Sequence, residues 1–159
     1  MERGLRHPSI THPGITAGDP SYGSSRSVAM HRILIADDSD TIRKMVRVSL
    51  QPLASAEFVE AATGLEAIEQ LAVFPVQLMI LDLHMPDMHG IDVLRFVRRH
   101  QAYRNVPVIV LTTRGDDSSR QTAIEAGATT YMTKPFSPPV LAATVRTLLD
   151  GGVQGSVGA

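Results

Sequence analysis

The sequence predicts an α/β fold in which helices cover both faces of a five-stranded parallel sheet. Five short apolar segments alternate along the chain with five segments whose apolar residues recur at helical spacing. The clearest apolar segment is 76–82, in which five of seven residues are apolar and which lies between Pro75 and Pro86. Its length and its bounding prolines favour a strand buried on both faces, as found in parallel sheets between two helical layers.

Length and composition favour a single domain and limit its chemistry. The 159 residues are 43% hydrophobic, which is enough for one ordinary core. The formal net charge of -1 gives no reason to expect nucleic acid or a membrane as a partner. Because the chain has no cysteine, disulfides, thiolate metal sites and cysteine nucleophiles are excluded. The sequence has neither a bilayer-spanning apolar stretch nor an apolar signal core, so we expect a cytoplasmic protein.

The two ends of the chain differ in composition from the rest. Residues 1–29 contain several Gly, Pro and Ser residues without helical or strand period, so we expect a disordered tail. An alternative is that translation starts at Met30, directly before the first strand. The Gly-rich residues 151–159 are expected to form a flexible tail, and the domain to span 30–150.

The first strand is predicted at 32–36 and is followed by a helix. Ser39 is a suitable N-cap, and Asp40 is favourable in the first turn because of the helix dipole. Pro52 ends this helix, and a second strand follows at about 56–60. The apolar face of the first helix is expected to comprise Ile42, Met45, Val46 and Leu50.

The second helix opens with a capping-box pattern at Thr63 and Glu66 and ends before Pro75. After the third strand, residues 85–90 have the composition of a turn, and a third helix is expected at about 91–100. The expected buried residues are Leu65, Ile68, Leu71 and Ala72 in the second helix and Ile91, Leu94 and Val97 in the third.

The fourth strand is predicted at 106–111 and the fourth helix at about 117–126, with Gly127 as its stop. Ile124 is the only branched aliphatic residue of that helix, so we expect the helix to be weakly anchored and able to move.

The fifth strand, at about 129–133, leads into a fifth helix. Ser137 is a suitable N-cap, and Pro138 suits the first turn. The core residues of this helix are expected to be Leu141, Val145 and Leu148.

Polar residues follow four of the five predicted strands. Asp37 and Asp38 follow the first strand and Asp82 the third, whereas Thr112 and Lys134 follow the fourth and fifth. Because the carboxyl ends of parallel strands point the same way, all five can converge on one rim. A strand order of 2-1-3-4-5 would bring the three carboxylates together, and this edge is where such sheets bind ligands.

The chemistry that suits this set is phosphoryl transfer. Three close carboxylates repel one another, and a hard divalent cation relieves the repulsion, so we expect Mg²⁺ as cofactor. Lys134 and the ion would each neutralise a phosphoryl oxygen, and the Thr112 hydroxyl would donate to a third. Our central hypothesis is that Asp82 is a nucleophile that accepts the phosphoryl group.

Each of these residues alone has a simpler explanation. An Asp after a strand is commonly a turn residue or a helix cap, and an isolated Lys or Thr is commonly solvated or satisfied in a loop. Their joint occurrence after different strands of an alternating chain favours the chemical interpretation.

Four short motifs carry a resemblance to a known family. They are Ile35-Ala36-Asp37-Asp38-Ser39, Leu81-Asp82-Leu83-His84-Met85-Pro86, Leu111-Thr112-Thr113 and Lys134-Pro135-Phe136. Together they resemble the response-regulator receiver domain over about residues 30–149. The resemblance implies a flavodoxin-like doubly wound fold and transfer of a phosphoryl group to Asp82. The donor would be a phosphohistidine of a sensor histidine kinase or phosphotransfer protein.

The resemblance also implies roles for single residues. Asp37, Asp38, Asp82 and the backbone carbonyl of His84 would hold Mg²⁺. Thr112 and Lys134 would contact the phosphoryl group, and the Lys134–Pro135 peptide bond would be cis. Tyr131 matches the position of an aromatic switch residue. The resemblance implies that this residue turns inward when Thr112 moves toward the phosphate.

The resulting hypothesis is a stand-alone, phosphorylatable switch that catalyses only its own phosphorylation and dephosphorylation. Its output would be binding of a target protein through the face of the fourth helix, fifth strand and fifth helix. Residues 111–116 resemble chemotaxis-type receivers. One alternative is an aspartate-nucleophile phosphatase of the haloacid dehalogenase type, although that class carries its nucleophile after the first strand. Another is a docking receiver that is never phosphorylated.

Overall fold

Five strands alternate with five helices in the computed structural model, which describes residues 30–151. The elements are β1 (His31–Ala36), α1 (Asp40–Leu50), β2 (Ala56–Ala61), α2 (Gly64–Val73), β3 (Leu78–Leu81), α3 (Gly90–Arg99), β4 (Val108–Thr112), α4 (Asp117–Glu125), β5 (Thr130–Thr133) and α5 (Pro138–Gly151). The predicted alternation of strands and helices is therefore confirmed.

The five strands form one parallel sheet in the order β2-β1-β3-β4-β5. Ala36 at the end of β1 lies opposite Leu81 at the end of β3, and Leu81 lies opposite Val110 of β4. The order 2-1-3-4-5 is thus confirmed. Because the last residues of β1 and β3 are partners, the residues that follow them emerge side by side.

The sheet separates two apolar cores. On one face, α1 and α5 pack against Leu78 and Ile80 of β3, and on the other, α2, α3 and α4 pack against Met79 and Leu81. All four residues of β3 are buried, which confirms a strand covered on both faces.

Two helices bury most of the predicted residues but differ from the prediction at three positions. Leu65 and Ala72 of α2 are exposed, so their predicted burial is wrong. Leu71 is buried as predicted and Ile68 is half-buried, and Gly64 and Ala67 are buried in addition. Gly64 meets the β3–α3 loop so closely that there is no room for a side chain, and this fit turns the small residues inward.

In the first helix, Val46 and Leu50 are buried as predicted and Ile42 packs against the core, but Met45 differs. Met45 is 43% exposed rather than buried, and Ser49 is buried together with Val46 and Leu50. The Ser49 hydroxyl is satisfied inside the helix because it donates to the Met45 carbonyl at 2.7 Å. The predicted burial of Met45 is therefore wrong, and the burial of Ser49 was not predicted.

The predicted helix caps are confirmed at both helices that follow β1 and β2. Ser39 accepts from the Ile42 N–H at 3.3 Å, and Thr63 accepts from the Glu66 N–H at 3.1 Å. In a capping box, the Glu66 side chain would accept from the N–H of Thr63. It accepts instead from the N–H of the preceding residue, Ala62, at 3.2 Å.

The fourth helix is weakly anchored, as predicted. Ala123 is its buried residue, and Ile124 is 45% exposed. Gly127 follows the helix with φ of +107°, in keeping with its predicted role as a stop.

The predicted tail at 1–29 and residues 152–159 of the tail predicted at 151–159 lie outside the described residues, whereas Gly151 is the last residue of α5 rather than part of a tail. Within residues 30–151, no helix combines the length and apolarity needed to cross a membrane.

Candidate phosphoryl-acceptor site

The carboxyl edge of the sheet carries a cavity of about 540 Å³. Its polar lining includes Asp37 and Asp38 from the turn after β1, Asp82 and His84 from the loop after β3, and Lys134 after β5. The structure therefore brings together residues that lie up to 97 positions apart in the sequence.

The three carboxylates form a cluster in this cavity. Asp37 and Asp82 are 3% and 5% exposed, whereas Asp38 is exposed. One ligand oxygen from each lies within 4.8 Å of the other two. This set of hard oxygen donors, open to solvent on the Asp38 side, fits a small divalent cation such as Mg²⁺. A bound cation would also relieve the repulsion between the carboxylates.

Lys134 contacts two of the three carboxylates. Its Nζ lies 2.5 Å from Asp37 Oδ2 and 3.6 Å from Asp82 Oδ2, and its side chain is 10% exposed. The other oxygen of Asp37 accepts from the Ser39 N–H at 2.9 Å. The Lys134–Pro135 peptide bond is cis, as the resemblance implied. The amine thus compensates the buried charges and holds Asp37 in a fixed orientation.

Asp82 has a raised pKa in this environment. Burial is the largest cause, and the neighbouring carboxylates of Asp37 and Asp38 act in the same direction. The Lys134 amine and a hydrogen bond from the His84 N–H to Asp82 Oδ1 at 3.3 Å oppose the rise of the pKa. A positive charge placed beside Asp82 would therefore stabilise the carboxylate, which is the nucleophilic form.

His84 occupies the rim of the cavity with its side chain exposed. Its ring lies edge-on to the His89 ring, with 5.5 Å between the centroids. The backbone of His84 is fixed to Asp82 by the N–H contact just described.

Thr112 is the last residue of β4 and is completely buried. Its Oγ1 has no hydrogen-bond partner among residues 30–151. A buried hydroxyl without a partner costs free energy, so such a group marks a place where a ligand or a conformational change can supply the missing bond. Thr113, rather than Thr112, lines the cavity itself.

Tyr131 lies apart from the carboxylates, on the α3 and α4 side of the sheet. Its ring is partly buried against the core on that side, opposite Val110 in the sheet register. Its hydroxyl donates to the Arg114 carbonyl in the loop before α4. Burial and the nearby Asp116 carboxylate raise the pKa of the Tyr131 phenol, so it stays protonated and keeps donating at neutral pH.

Comparison with known proteins identifies the family. The model of the response regulator receiver domain matches residues 33–146, which is most of the chain. The chain belongs to the response regulator receiver domain family. Receivers of this kind bind Mg²⁺ at an acidic pocket, and the carboxylate cluster described above could hold a metal ion.

Two chemotaxis proteins are similar to the chain over nearly their whole length, and a transcriptional regulator over about half of its length. The chain is 35% identical over 119 residues to the chemotaxis protein CheY1 of Helicobacter pylori, covering 74% of this chain and 96% of that protein. It is 38% identical to the transcriptional regulatory protein SrrA of Staphylococcus aureus, but covers only 48% of that protein. The solved structure of the chemotaxis response regulator CheY4 of Vibrio cholerae superposes with a TM-score of 0.70 at 35% identity, covering 76% of this chain and 99% of that chain.

Arg43 is a residue of this receiver site that the sequence analysis missed. Its Nη1 donates to the Asp37 carbonyl at 2.6 Å, and its Nε donates to Glu60 at 3.1 Å. It also pairs with Asp40. Arg43 thereby connects the acidic turn to α1 and β2. The Asp40–Arg43 spacing on one helix was a signal for the ion pair, but no sequence signal shows the contact with the Asp37 backbone.

Proposed function

We propose that the chain is a phosphorylatable switch in which Asp82 accepts a phosphoryl group with Mg²⁺ bound beside it. The observation that carries this proposal is the contact of one amine, that of Lys134, with both Asp37 and Asp82 beneath an open acidic cavity. This arrangement provides a nucleophilic carboxylate, a cation for the incoming charge and oxygen ligands for a metal.

The transfer is a displacement at phosphorus. A carboxylate oxygen of Asp82 attacks the phosphorus of a phosphohistidine, the P–N bond breaks, and the imidazole leaves with its electron pair and takes up a proton from solvent. Asp37, Asp38, Asp82 and the His84 backbone carbonyl would hold Mg²⁺, which would supply charge neutralisation. Lys134 faces a second phosphoryl oxygen, and Thr112 offers its unpaired hydroxyl to a third.

Thr112 and Tyr131 couple the site to a binding surface. The unpaired Thr112 hydroxyl gains a partner when it moves toward the phosphoryl group. Tyr131 then breaks its hydrogen bond to the Arg114 carbonyl and turns inward. Support for mobility comes from α4, which is held to the core mainly by Ala123. The face formed by α4, β5 and α5 changes its preference between partners as the population shifts.

The partners on this account are proteins. A sensor histidine kinase or a phosphotransfer protein supplies the phosphoryl group, and a target protein binds the α4–β5–α5 face in the cytoplasm. Nucleic acid and membranes play no part in this proposal. The similarity to proteins named for chemotaxis favours a chemotaxis-type output, in which the receiver signals without an attached effector domain.

The proposal is tested by incubating the full chain with Mg²⁺ and a small phosphodonor such as acetyl phosphate. We expect one phosphoryl group, mapped to Asp82 by borohydride reduction and mass spectrometry, and none on an Asp82→Asn variant. Label on another residue of an intact wild-type protein contradicts the site assignment. Repeated hydrolysis of p-nitrophenyl phosphate contradicts the switch and supports a phosphatase. Pull-downs with phosphorylated and unmodified protein then identify the target.

A further inference from the structure

The loop between β3 and α3 is tied to a helix that takes no part in the acidic cavity. Asp87, in the middle of that loop, accepts two hydrogen bonds from the first turn of α2. Its Oδ1 accepts from the Gly64 N–H and its Oδ2 from the Leu65 N–H, both at 2.9 Å. These bonds lower the pKa of Asp87, so the carboxylate remains ionised and keeps accepting at neutral pH.

Close packing reinforces this connection. A Cβ on Gly64 would lie 2.7 Å from the Met88 Cβ and 3.2 Å from the Met88 carbonyl. At the end of the loop, the Gly90 N–H donates to the Leu83 carbonyl at 2.8 Å. The loop is therefore held at its base by Gly90 and near its tip by Asp87 and Met88.

Capping of the helix does not by itself explain Asp87. The Thr63 hydroxyl already caps α2 by accepting from the Glu66 N–H. Asp87 takes the first two N–H groups of the same turn from a position 22 residues further along the chain. What Asp87 adds is a connection between α2 and the segment that begins with Asp82 and His84.

We propose that Asp87 is a positioning residue that holds the β3–α3 loop against the first turn of α2 and so preforms the metal site at Asp82 and the His84 backbone carbonyl. This inference rests on the proposed function, because it assigns a role toward the Mg²⁺ of that site. The loop carries both the nucleophile and a backbone ligand, so releasing its tip increases the number of conformations that metal binding must order.

The test compares Asp87→Ala with Thr63→Ala in the full chain. Both variants remove hydrogen bonds from the first turn of α2, but only the first releases the loop. Isothermal titration with MgCl₂ should give a dissociation constant raised roughly three- to tenfold in Asp87→Ala, below the roughly 10- to 100-fold typical of losing a direct support of a ligand. Thr63→Ala should bind Mg²⁺ as the wild type does.

Two further measurements separate positioning from charge. Asp87→Asn retains one acceptor oxygen, so its dissociation constant should lie between those of wild type and Asp87→Ala. The ratio of the Mg²⁺ dissociation constant of Asp87→Ala to that of wild type should also persist at about 0.5 M KCl, where distant charges are screened. A ratio that disappears in salt overturns the proposal, because it assigns the effect to the lost charge alone.

Hydrogen exchange of the metal-free protein gives a readout that does not depend on activity. In Asp87→Ala, exchange should become faster at Gly64 and Leu65 and also at His84 and Gly90, whose amides hold the loop near the site. In Thr63→Ala, it should become faster only in the first turn of α2.

The outcomes distinguish this inference from the proposed function. If wild type binds Mg²⁺ and is phosphorylated at Asp82 while Asp87→Ala has the same affinity and the same exchange at His84, the positioning role is wrong and the switch stands. The positioning role is also wrong if Thr63→Ala weakens Mg²⁺ binding as much as Asp87→Ala. If wild type binds no Mg²⁺, the proposed function fails, and the inference fails with it.

Discussion

Lys134 and Asp37 form an ion pair with 2.5 Å between Nζ and Oδ2, although 97 positions separate them in the sequence. They follow β5 and β1, and both β3 and β4 lie between these strands in the sheet. The lysine therefore reaches past the ends of two strands and passes within 3.6 Å of Asp82 Oδ2 on the way. The Lys134 side chain thus fixes the turn that carries Asp37 and compensates the negative charge of Asp82, the candidate nucleophile.

Replacing Lys134 should destabilise the metal-free protein in a pH-dependent manner. In Lys134→Met, the buried Asp37 and Asp82 lose their shared cation, and we expect a loss of about 2 kcal/mol at pH near 7, somewhat below the cost of breaking a fully buried pair. Because Lys134 holds down the pKa of Asp82, the variant's Asp82 protonates more readily, so the loss should shrink as the pH falls. Urea unfolding in EDTA measures both effects.

The matched control is Lys44→Met, which removes the only other lysine of the sequence from an exposed position on α1. We expect its stability to stay within about 0.5 kcal/mol of wild type. Equal destabilisation of the two variants would show that the loss does not come from the carboxylate pair.

Replacing Asp82 should stabilise the metal-free fold. Burial raises the pKa of Asp82, so the folded state binds this proton more tightly than the unfolded state does. The contribution of Asp82 to the free energy of unfolding of wild type is therefore largest below the ordinary pKa of 3.8. It falls as the pH rises through the raised pKa.

An Asp82→Asn variant lacks this penalty. We expect its free energy of unfolding to exceed that of wild type near pH 7, because the variant has no carboxylate to ionise in the buried site. The difference should decrease in acid. Urea unfolding with EDTA between about pH 4 and 8 measures it, and a difference that grows in acid would contradict the raised pKa.

Removing the Thr112 hydroxyl should leave stability intact while impairing the switch. Thr112→Val keeps the shape of a buried side chain whose Oγ1 makes no hydrogen bond, so no native bond is lost. We expect the free energy of unfolding to be unchanged or to rise by up to about 1 kcal/mol. Phosphorylation by acetyl phosphate should slow, and phosphorylation-dependent shifts in the NMR spectrum near Tyr131 should decrease. Thr113→Val serves as the exposed control for the unfolding measurement alone, and a large destabilisation of Thr112→Val would show that the hydroxyl is bonded in the folded state.

Adding a methyl group at Gly90 should disrupt the site through the backbone. A Cβ at this position would lie 2.4 Å from the Asp82 carbonyl and 2.6 Å from the Leu83 Cα. Main-chain atoms cannot rotate away, so Gly90→Ala should lose about 3 kcal/mol in urea unfolding and weaken Mg²⁺ binding. Gly151→Ala adds the same methyl group where no atom of the described residues outside the adjoining helix backbone lies within 4 Å, and it should be tolerated.

Local patterns in the sequence were sufficient for much of the fold. The apolar run of β3 predicts a strand covered on both faces, and all four of its residues are buried. Ser39 and Thr63 predict helix starts because capping depends on residues three positions apart. The predicted burial of Met45 and Leu65 was wrong because a small residue, rather than the more hydrophobic one, fits the close contact at these positions. Gly64 and Ser49 are small enough for close contact, and a sequence pattern does not reveal what a helix packs against.

The sequence by itself determined which chemical groups lie at the strand ends. The short-range apolar pattern specifies where a strand ends, and the residue types there specify the carboxylates, the hydroxyl and the amine. Only the tertiary structure decided which of these groups meet. It placed Lys134 on Asp37, left the Thr112 hydroxyl unpaired, and joined Asp87 to α2. The physical reason is that such contacts depend on strand register and loop packing over distances of a few ångströms, which residues far apart in the chain settle together.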